Sequence, residues 1–86
     1  MGEIYKIILT PENNGAYTVF VPDFDSGTQG ESLEGAMYMA RDLIEIMGDA
    51  LQDMGKDVPA PGTAECIVGA GEIIAQVEVD FAGHHR

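Results

Sequence analysis

The chain has 86 residues, which is enough for one small domain and too few for two independent cores. Four Lys and Arg residues oppose fifteen Asp and Glu residues, so the net charge at pH 7 is 4 − 15 = −11. This charge repels phosphate backbones, so we expect no direct nucleic-acid binding, and the short length excludes most self-contained enzymes. Hydrophobic residues make up 45% of the chain, which predicts a folded protein despite the acidity.

Cysteine content and targeting signals indicate the compartment. Cys66 is the single cysteine, so no disulfide can form within the chain. No stretch approaches the roughly 18 to 20 apolar residues of a membrane span, and the N-terminus lacks the pattern of a signal peptide or a myristoylation site. We therefore expect a soluble, unanchored protein in the reducing cytoplasm.

The first third of the chain predicts a β-hairpin. Residues 3–10 are rich in Ile and Tyr and have apolar side chains on both faces, which predicts a strand buried on most of both faces. The turn at 11–15 includes Asn14 and Gly15, which tolerate positive φ, and 16–21 predicts a second, antiparallel strand. Pro22 ends that strand, and the glycine-containing segment that follows has room for at most a short third strand.

From Ser32 the apolar period changes to steps of three and four, which predicts a helix of about 23 residues with Ser32 as its N-cap. Gly55 is the expected left-handed C-cap. The predicted core stripe consists of Leu33, Ala36, Met37, Ala40, Ile44, Met47, Leu51 and Met54. A second apolar strip of Met39, Leu43, Ile46 and Ala50 widens the apolar arc beyond what one small sheet covers, which predicts self-association through that strip.

The last third predicts a connector and a final strand. Residues 58–62 contain two prolines and extend the chain, and 63–71 has no clear period. Residues 73–81 alternate apolar and polar, the pattern of a strand with one solvated face. We expect an α+β fold of order β-β-β-α-β, in which a three- to four-stranded, mainly antiparallel sheet packs against one long helix. Residues 1–81 form the expected single domain, and 82–86 a disordered tail.

Two acidic patterns resemble catalytic or metal-binding motifs. Asp23 and Asp25 after an apolar strand match the nucleophile and acid of a phosphotransferase, but no lysine or second acidic cluster follows to hold magnesium. With Glu34 they also match three ligand positions of a calcium loop, but Gly27 occupies another ligand position and a strand enters where a helix is needed. We interpret these aspartates as turn-capping residues and expect neither catalysis nor a metal site.

The other reactive side chains also have structural interpretations. His84 and His85 are adjacent, so their side chains diverge, and no third ligand has a suitable spacing. Cys66 lies between apolar neighbours and has no histidine beside it, which favours a small hydrophobic role over a nucleophilic one. We therefore expect no catalytic residue, no metal and no cofactor.

The order of several short motifs resembles the HicB antitoxin family. Residues 17–24 (YTVFVPDF) resemble the family pattern Y-x-V-x-x-P-D-[LF], and 28–36 (TQGESLEGA) resemble T-Q-G-[DE]-[ST]-L-E-E-A. Residues 39–42 (MARD), 58–61 (VPAP) and 77–80 (VEVD) resemble the helix, the proline pair and the closing strand of the family. The resemblance extends from residue 4 to about residue 80.

The resemblance implies a partial RNase-H-like fold, a homodimer or homotetramer, and binding to a small basic HicA-type mRNA interferase whose active site is occluded without catalysis. The alternative is a stand-alone oligomeric scaffold or small-ligand module without a toxin partner. A third possibility, a metal-dependent nuclease or phosphatase, would require Asp23 for activity. We assign toxin contact to Asp23, Asp25 and Glu31 as a hypothesis, from their charge and their position beside the sheet edge.

The sequence departs from the family pattern at two places. Residues 25–27 are Asp-Ser-Gly, one residue shorter than the Pro-Gly-Cys region of many relatives, so the toxin-facing loop is expected to differ. Longer relatives continue into a C-terminal DNA-binding module, whereas the sequence ends at Arg86. The expectation is therefore a chain without a DNA-binding module.

Overall fold

The computed structural model describes residues 2–81, and these form one four-stranded sheet and one long helix. The strands are β1 (Glu3–Pro11), β2 (Tyr17–Val21), β3 (Ser26–Gly30) and β4 (Ile73–Val79). The helix α1 is Leu33–Asp53. The expected α+β fold of order β-β-β-α-β is confirmed, with the short third strand present; residues 82–86, where a tail is expected, lie outside the described residues.

All neighbouring strands are antiparallel, and their order across the sheet is β3-β2-β1-β4. The first strand is therefore central, and it pairs with β4 along its length, from residue 3 opposite 79 to residue 9 opposite 73. The turn between β1 and β2 has Gly15 at a φ of 88°. The predicted hairpin is confirmed, and β3 and β4 are the two edges of the sheet.

Both predicted helix caps are confirmed. The Ser32 hydroxyl accepts a hydrogen bond of 3.0 Å from the backbone N–H of Gly35, which satisfies one of the free donors of the first turn. At the other end, Gly55 has a φ of 73°. The backbone N–H groups of Lys56 and Gly55 donate to the carbonyls of Leu51 and Gln52 at 2.8 and 3.0 Å, a Schellman motif that ends the helix.

The core lies between α1 and one face of the sheet, called the inner face below. Small side chains let the helix approach the sheet, because Ala36 and Ala40 are fully buried and an added methyl group at Gly30 would overlap the backbone of Ala36. Ile44 is also fully buried, whereas Leu33 and Met54, which the sequence predicts for the core stripe, are 49% and 60% exposed at the two ends of the helix. The buried cluster comprises Tyr5, Ile7, Leu9, Val19, Val21, Phe24, Ala36, Ala40, Ile44, Val77 and Val79.

One prediction about β1 is wrong. The strand is buried on its inner face but not on most of the opposite, outer face, where Ile4 is 53% exposed and Lys6 is exposed. The reason is that α1 covers only one side of the sheet, so apolar side chains on the other side gain burial only from their neighbours. Ile8 is the exception, being buried on the outer face.

No helix in residues 2–81 combines the length and the apolar character needed to cross a membrane.

Candidate functional site

The acidic loop after β2 is a tight turn. Residues 22–24 form a single 3-10 turn that begins at Pro22. The buried ring of Phe24 anchors it by packing edge to face on the ring of Tyr5, with 5.3 Å between the ring centroids. Asp25 follows in the left-handed region with a φ of 50°, and its N–H donates to the carbonyl of Pro22 at 3.1 Å. An aspartate tolerates this backbone conformation better than most residues, so its side chain is held exposed at the start of β3.

Asp23 holds the connector between α1 and β4. One carboxylate oxygen accepts a hydrogen bond from the N–H of Gly62 at 3.0 Å, and the other accepts from the N–H of Ala64 at 2.7 Å. A carboxylate that receives two backbone donors forms charge-assisted bonds, which are stronger than bonds between neutral groups. Asp23 therefore fixes the path of a segment about forty positions away in the sequence.

Tyr5 anchors the same connector from the core. Its hydroxyl donates to the carbonyl of Pro59 at 2.6 Å, and its ring is fully buried. Burial raises the pKa of Tyr5 to about 12, and the negative charges of Glu3 and Asp23 act in the same direction. The phenol is therefore kept in its neutral, donating form.

The three residues assigned to toxin contact do not form one cluster. Asp25 precedes β3 and Glu31 follows it, so their backbones are separated by roughly 20 Å of extended chain. Asp23 is half-buried by its bonds to the connector, whereas Asp25 and Glu31 are exposed. The exposed carboxylates of Asp25 and Glu31 therefore lie at opposite ends of the edge strand β3 and do not form one compact site.

Glu31 lines an open recess of about 1010 Å³ at one end of the sheet. The recess is bounded by the turn between β1 and β2, the end of β3 and the first turns of α1. Glu12 lies on the turn side, and Tyr38 and Met39 lie on the helix side. Sequence reasoning missed Glu12 and Tyr38, because nothing in their local pattern connects them to Glu31.

The predicted self-association strip is divided by the fold. Leu43 packs against the core, and Met39 lines the recess. Ile46 is 59% exposed and Ala50 is exposed, so these two residues form the outward part of the strip.

The outer face of the sheet carries apolar side chains whose exposure the strand patterns do not predict. Phe20, Ile8 and Ile74 are paired directly across β2, β1 and β4, with Phe20 and Ile74 partly exposed. A smaller cavity of about 350 Å³ lies beside this row, between Ile4 and the connector. Cys66 lines this cavity and is half-buried, which agrees with a packing role.

Within residues 2–81, no group of three or more His, Cys, Asp or Glu side chains comes together in a way that could hold a metal ion. The Asp23 carboxylate, which the calcium-loop pattern would require as a ligand, binds backbone N–H groups. His84 and His85 lie outside the described residues.

Fold and surface together define a small acidic α+β protein with an open recess, an apolar row on the outer face of the sheet, and a connector that Asp23 and Tyr5 hold by hydrogen bonds. The family of HicB-like antitoxins of bacterial toxin-antitoxin systems matches residues 5–85, and the chain belongs to this family. One chain of a toxin-antitoxin complex from Streptococcus pneumoniae has a similar fold, with a TM-score of 0.78 and 22% identity over 98% of this chain and 73% of that chain. No curated protein sequence matches this one.

Proposed function

We propose that this protein is a non-catalytic antitoxin, which binds a small basic HicA-type mRNA interferase and occludes the active site of that toxin. We propose the cytoplasm as the compartment in which it acts. The observation that carries the proposal is family membership over residues 5–85. The net charge of −11 supports a basic partner, because opposite charges steer association and suppress contact with acidic proteins and nucleic acids. Residues 1–81 act in this proposal as one binding unit without direct contact to nucleic acid.

The proposed toxin-facing surface is the β3 edge with the acids that border it. Asp25 and Glu31 are exposed at its two ends and are available for direct contact. Asp23 contributes through the connector, because both of its carboxylate oxygens already accept backbone hydrogen bonds. An edge strand also has free backbone donors and acceptors, which a partner can use.

The test is calorimetric titration with the toxin at two salt concentrations, together with an assay of mRNA cleavage by the toxin. We expect tight, salt-sensitive binding and inhibition that follows the bound fraction. The double variant Asp25→Asn/Glu31→Gln should bind roughly three- to tenfold more weakly with a smaller salt dependence. The matched control Asp53→Asn/Glu65→Gln removes the same charge from exposed positions elsewhere.

Equal losses of toxin affinity in the two double variants would show that the β3 edge is not part of the interface. Absence of toxin binding by the wild-type protein would contradict the antitoxin proposal itself.

We also propose that the protein forms a homodimer or homotetramer through Met39, Leu43, Ile46 and Ala50. Exposure of Ile46 and Ala50 supports this, since they have no covering element within the described chain. Light scattering should show an oligomer that Ile46→Lys dissociates and Met54→Lys, at an exposed site near the helix end, does not. A monomeric wild-type protein would contradict this part of the proposal.

The alternative is a stand-alone oligomeric scaffold or small-ligand module. The apolar row on the outer face of the sheet favours it, because such a row suits contact with another protein surface whatever its charge. An intact oligomer that neither binds nor inhibits the toxin would favour this alternative.

A further inference from the structure

The open recess that contains Glu31 combines three kinds of surface. The turn after β1 contributes Glu12, whose carboxylate accepts a hydrogen bond of 2.8 Å from the hydroxyl of Thr18. The end of β3 contributes Glu31, and the helix contributes Tyr38 and Met39. The recess therefore has a carboxylate on two sides and an apolar wall on the third.

The side of the recess formed by α1 consists of residues on one face of the helix. Gly35, Tyr38 and Met39 are separated by three and four positions, so they share one face of α1. Gly35 has no side chain, and a Cβ there would lie 3.2 Å from the Ser32 Oγ. Tyr38 is 61% exposed, so its ring is available to a partner rather than used by the core.

Charge decides which occupant the recess suits. Within residues 2–81, its lining includes two carboxylates and no Lys or Arg. A second copy of the chain would bring a further net charge of −11 to this surface, which disfavours an occupant of the same kind. A basic partner complements both the recess and the whole molecule.

We propose that the recess receives an arginine side chain from a basic partner protein, with the guanidinium stacked on Tyr38 and paired with Glu31 and Glu12. This inference rests on the proposed function for the partner's identity, and it adds the place and the residue type of the contact. Met39 packs against the aliphatic stem of the arginine.

Arginine fits this chemistry better than lysine. The guanidinium is planar, so it stacks on an aromatic ring while its N–H groups reach carboxylates at its edge. An ammonium group lacks this shape and is more strongly hydrated. Tyr38 therefore sets the preference for arginine, and the two carboxylates supply most of the attraction.

The first experiment measures affinity for the toxin. Glu12→Gln/Glu31→Gln should weaken binding about tenfold, and Asp53→Asn/Glu65→Gln, which removes the same charge away from the recess, less than about twofold. Tyr38→Lys places a cation in the recess and should weaken toxin binding strongly without altering the oligomer. Thermal unfolding of each variant confirms that the fold is retained.

The second experiment does not require the toxin. The peptide acetyl-Gly-Arg-Arg-Gly-amide is titrated against the protein and followed by NMR, with its lysine and citrulline counterparts as probes of shape and charge. The arginine peptide should shift the backbone signals of Gly30, Gly35 and Tyr38, the lysine peptide should shift them less, and the citrulline peptide should leave them unchanged. Tyr38→Leu should abolish the difference between arginine and lysine.

The outcomes separate this inference from the proposed function. If the toxin binds the wild type and both charge-neutralised double variants equally well, the recess is not the contact and the inference is overturned while the function stands. If the toxin does not bind, the function fails and the peptide titration decides the inference. Shifts spread evenly over the acidic surface, or equal for arginine and citrulline, overturn it.

Discussion

The packed layer between α1 and the sheet and the connector between α1 and β4 are held by different forces. On the inner side, aliphatic side chains of three strands pack against a helix whose contact residues are Ala36, Ala40 and Ile44, all fully buried. In the connector, the backbone is held by hydrogen bonds that Asp23 accepts and Tyr5 donates, and on the outer face of the sheet large apolar side chains remain partly exposed. Close packing stabilises the first region, whereas a few directional bonds position the second.

This difference separates stability from recognition. A packed interior responds to the loss or gain of a single methyl group, because no space exists to absorb it. A surface segment held by hydrogen bonds tolerates changes of side-chain volume but depends on the few groups that hold it. The exposed residues proposed for toxin contact, Asp25, Glu31 and Tyr38, lie outside the packed layer, so they are free to vary without loss of the fold.

The largest expected effect comes from a cavity in the packed layer. Ile44→Ala removes a fully buried side chain and should lower the free energy of unfolding by about 3 kcal/mol. Ile67→Ala, the same substitution at an exposed position in the connector, should change it by less than about 0.5 kcal/mol. Urea denaturation measures both, and similar losses would show that the two regions do not differ as described.

An added methyl group should give a comparable contrast. Gly30→Ala would place a Cβ against the backbone of Ala36, where no flexible side chain can yield, and should cost about 2 kcal/mol of unfolding free energy. Gly69→Ala, in the connector, places its Cβ at an ordinary contact distance of 3.6 Å from Glu72 Oε1. Its cost should be under about 0.5 kcal/mol in the same denaturation experiment.

The hydrogen bonds between Asp23 and the connector are tested by replacing the Asp23 carboxylate with an amide. Asp23→Asn keeps one acceptor but turns an NH2 group toward the other backbone N–H, so we expect a loss of about 1.5 kcal/mol and faster proteolysis within residues 58–71. Asp25→Asn is the matched control, since asparagine tolerates the left-handed backbone there. Unchanged proteolysis in Asp23→Asn would contradict the role of Asp23 in holding the connector.

Removal of the phenol hydroxyl should have the smallest effect. Tyr5→Phe loses the bond to the Pro59 carbonyl and should cost about 1 kcal/mol at neutral pH. Because the pKa of Tyr5 is raised to about 12, the wild type should lose stability as pH rises from about 10, where the unfolded chain releases this proton, to about 12. Unfolding measured across that range should show a weaker decline in the variant.

Features that depend on neighbouring residues could be predicted from the sequence. The Ser32 and Gly55 caps, the hairpin turn and the alternation of β4 are all set by residues within a few positions of one another. The burial of a strand face depends on distant elements, and the pattern of β1 gives no sign that its outer face lacks a covering layer. The pattern therefore predicts more burial for Ile4 than the structure shows.

The candidate site required the structure, because its contacts join distant parts of the chain. The local pattern at Asp23 indicates a turn residue, and only the path of the connector brings Gly62 and Ala64 to its carboxylate. The recess joins Glu12 to Tyr38 through a sheet end and a helix start that no local period encodes. Glu31 and Met39 were assigned to different surfaces, and the fold places both in one recess.

The pairing of the first strand with the last has a consequence for synthesis of the protein. Residues 3–9 hydrogen-bond with residues 73–79, so the central strand lacks one neighbour until β4 has emerged from the ribosome. Contacts between such distant positions must overcome a large loop-closure entropy, which slows folding. The domain therefore completes its sheet only after translation of β4, and a nascent chain arrested before Ile73 would present an open β-edge.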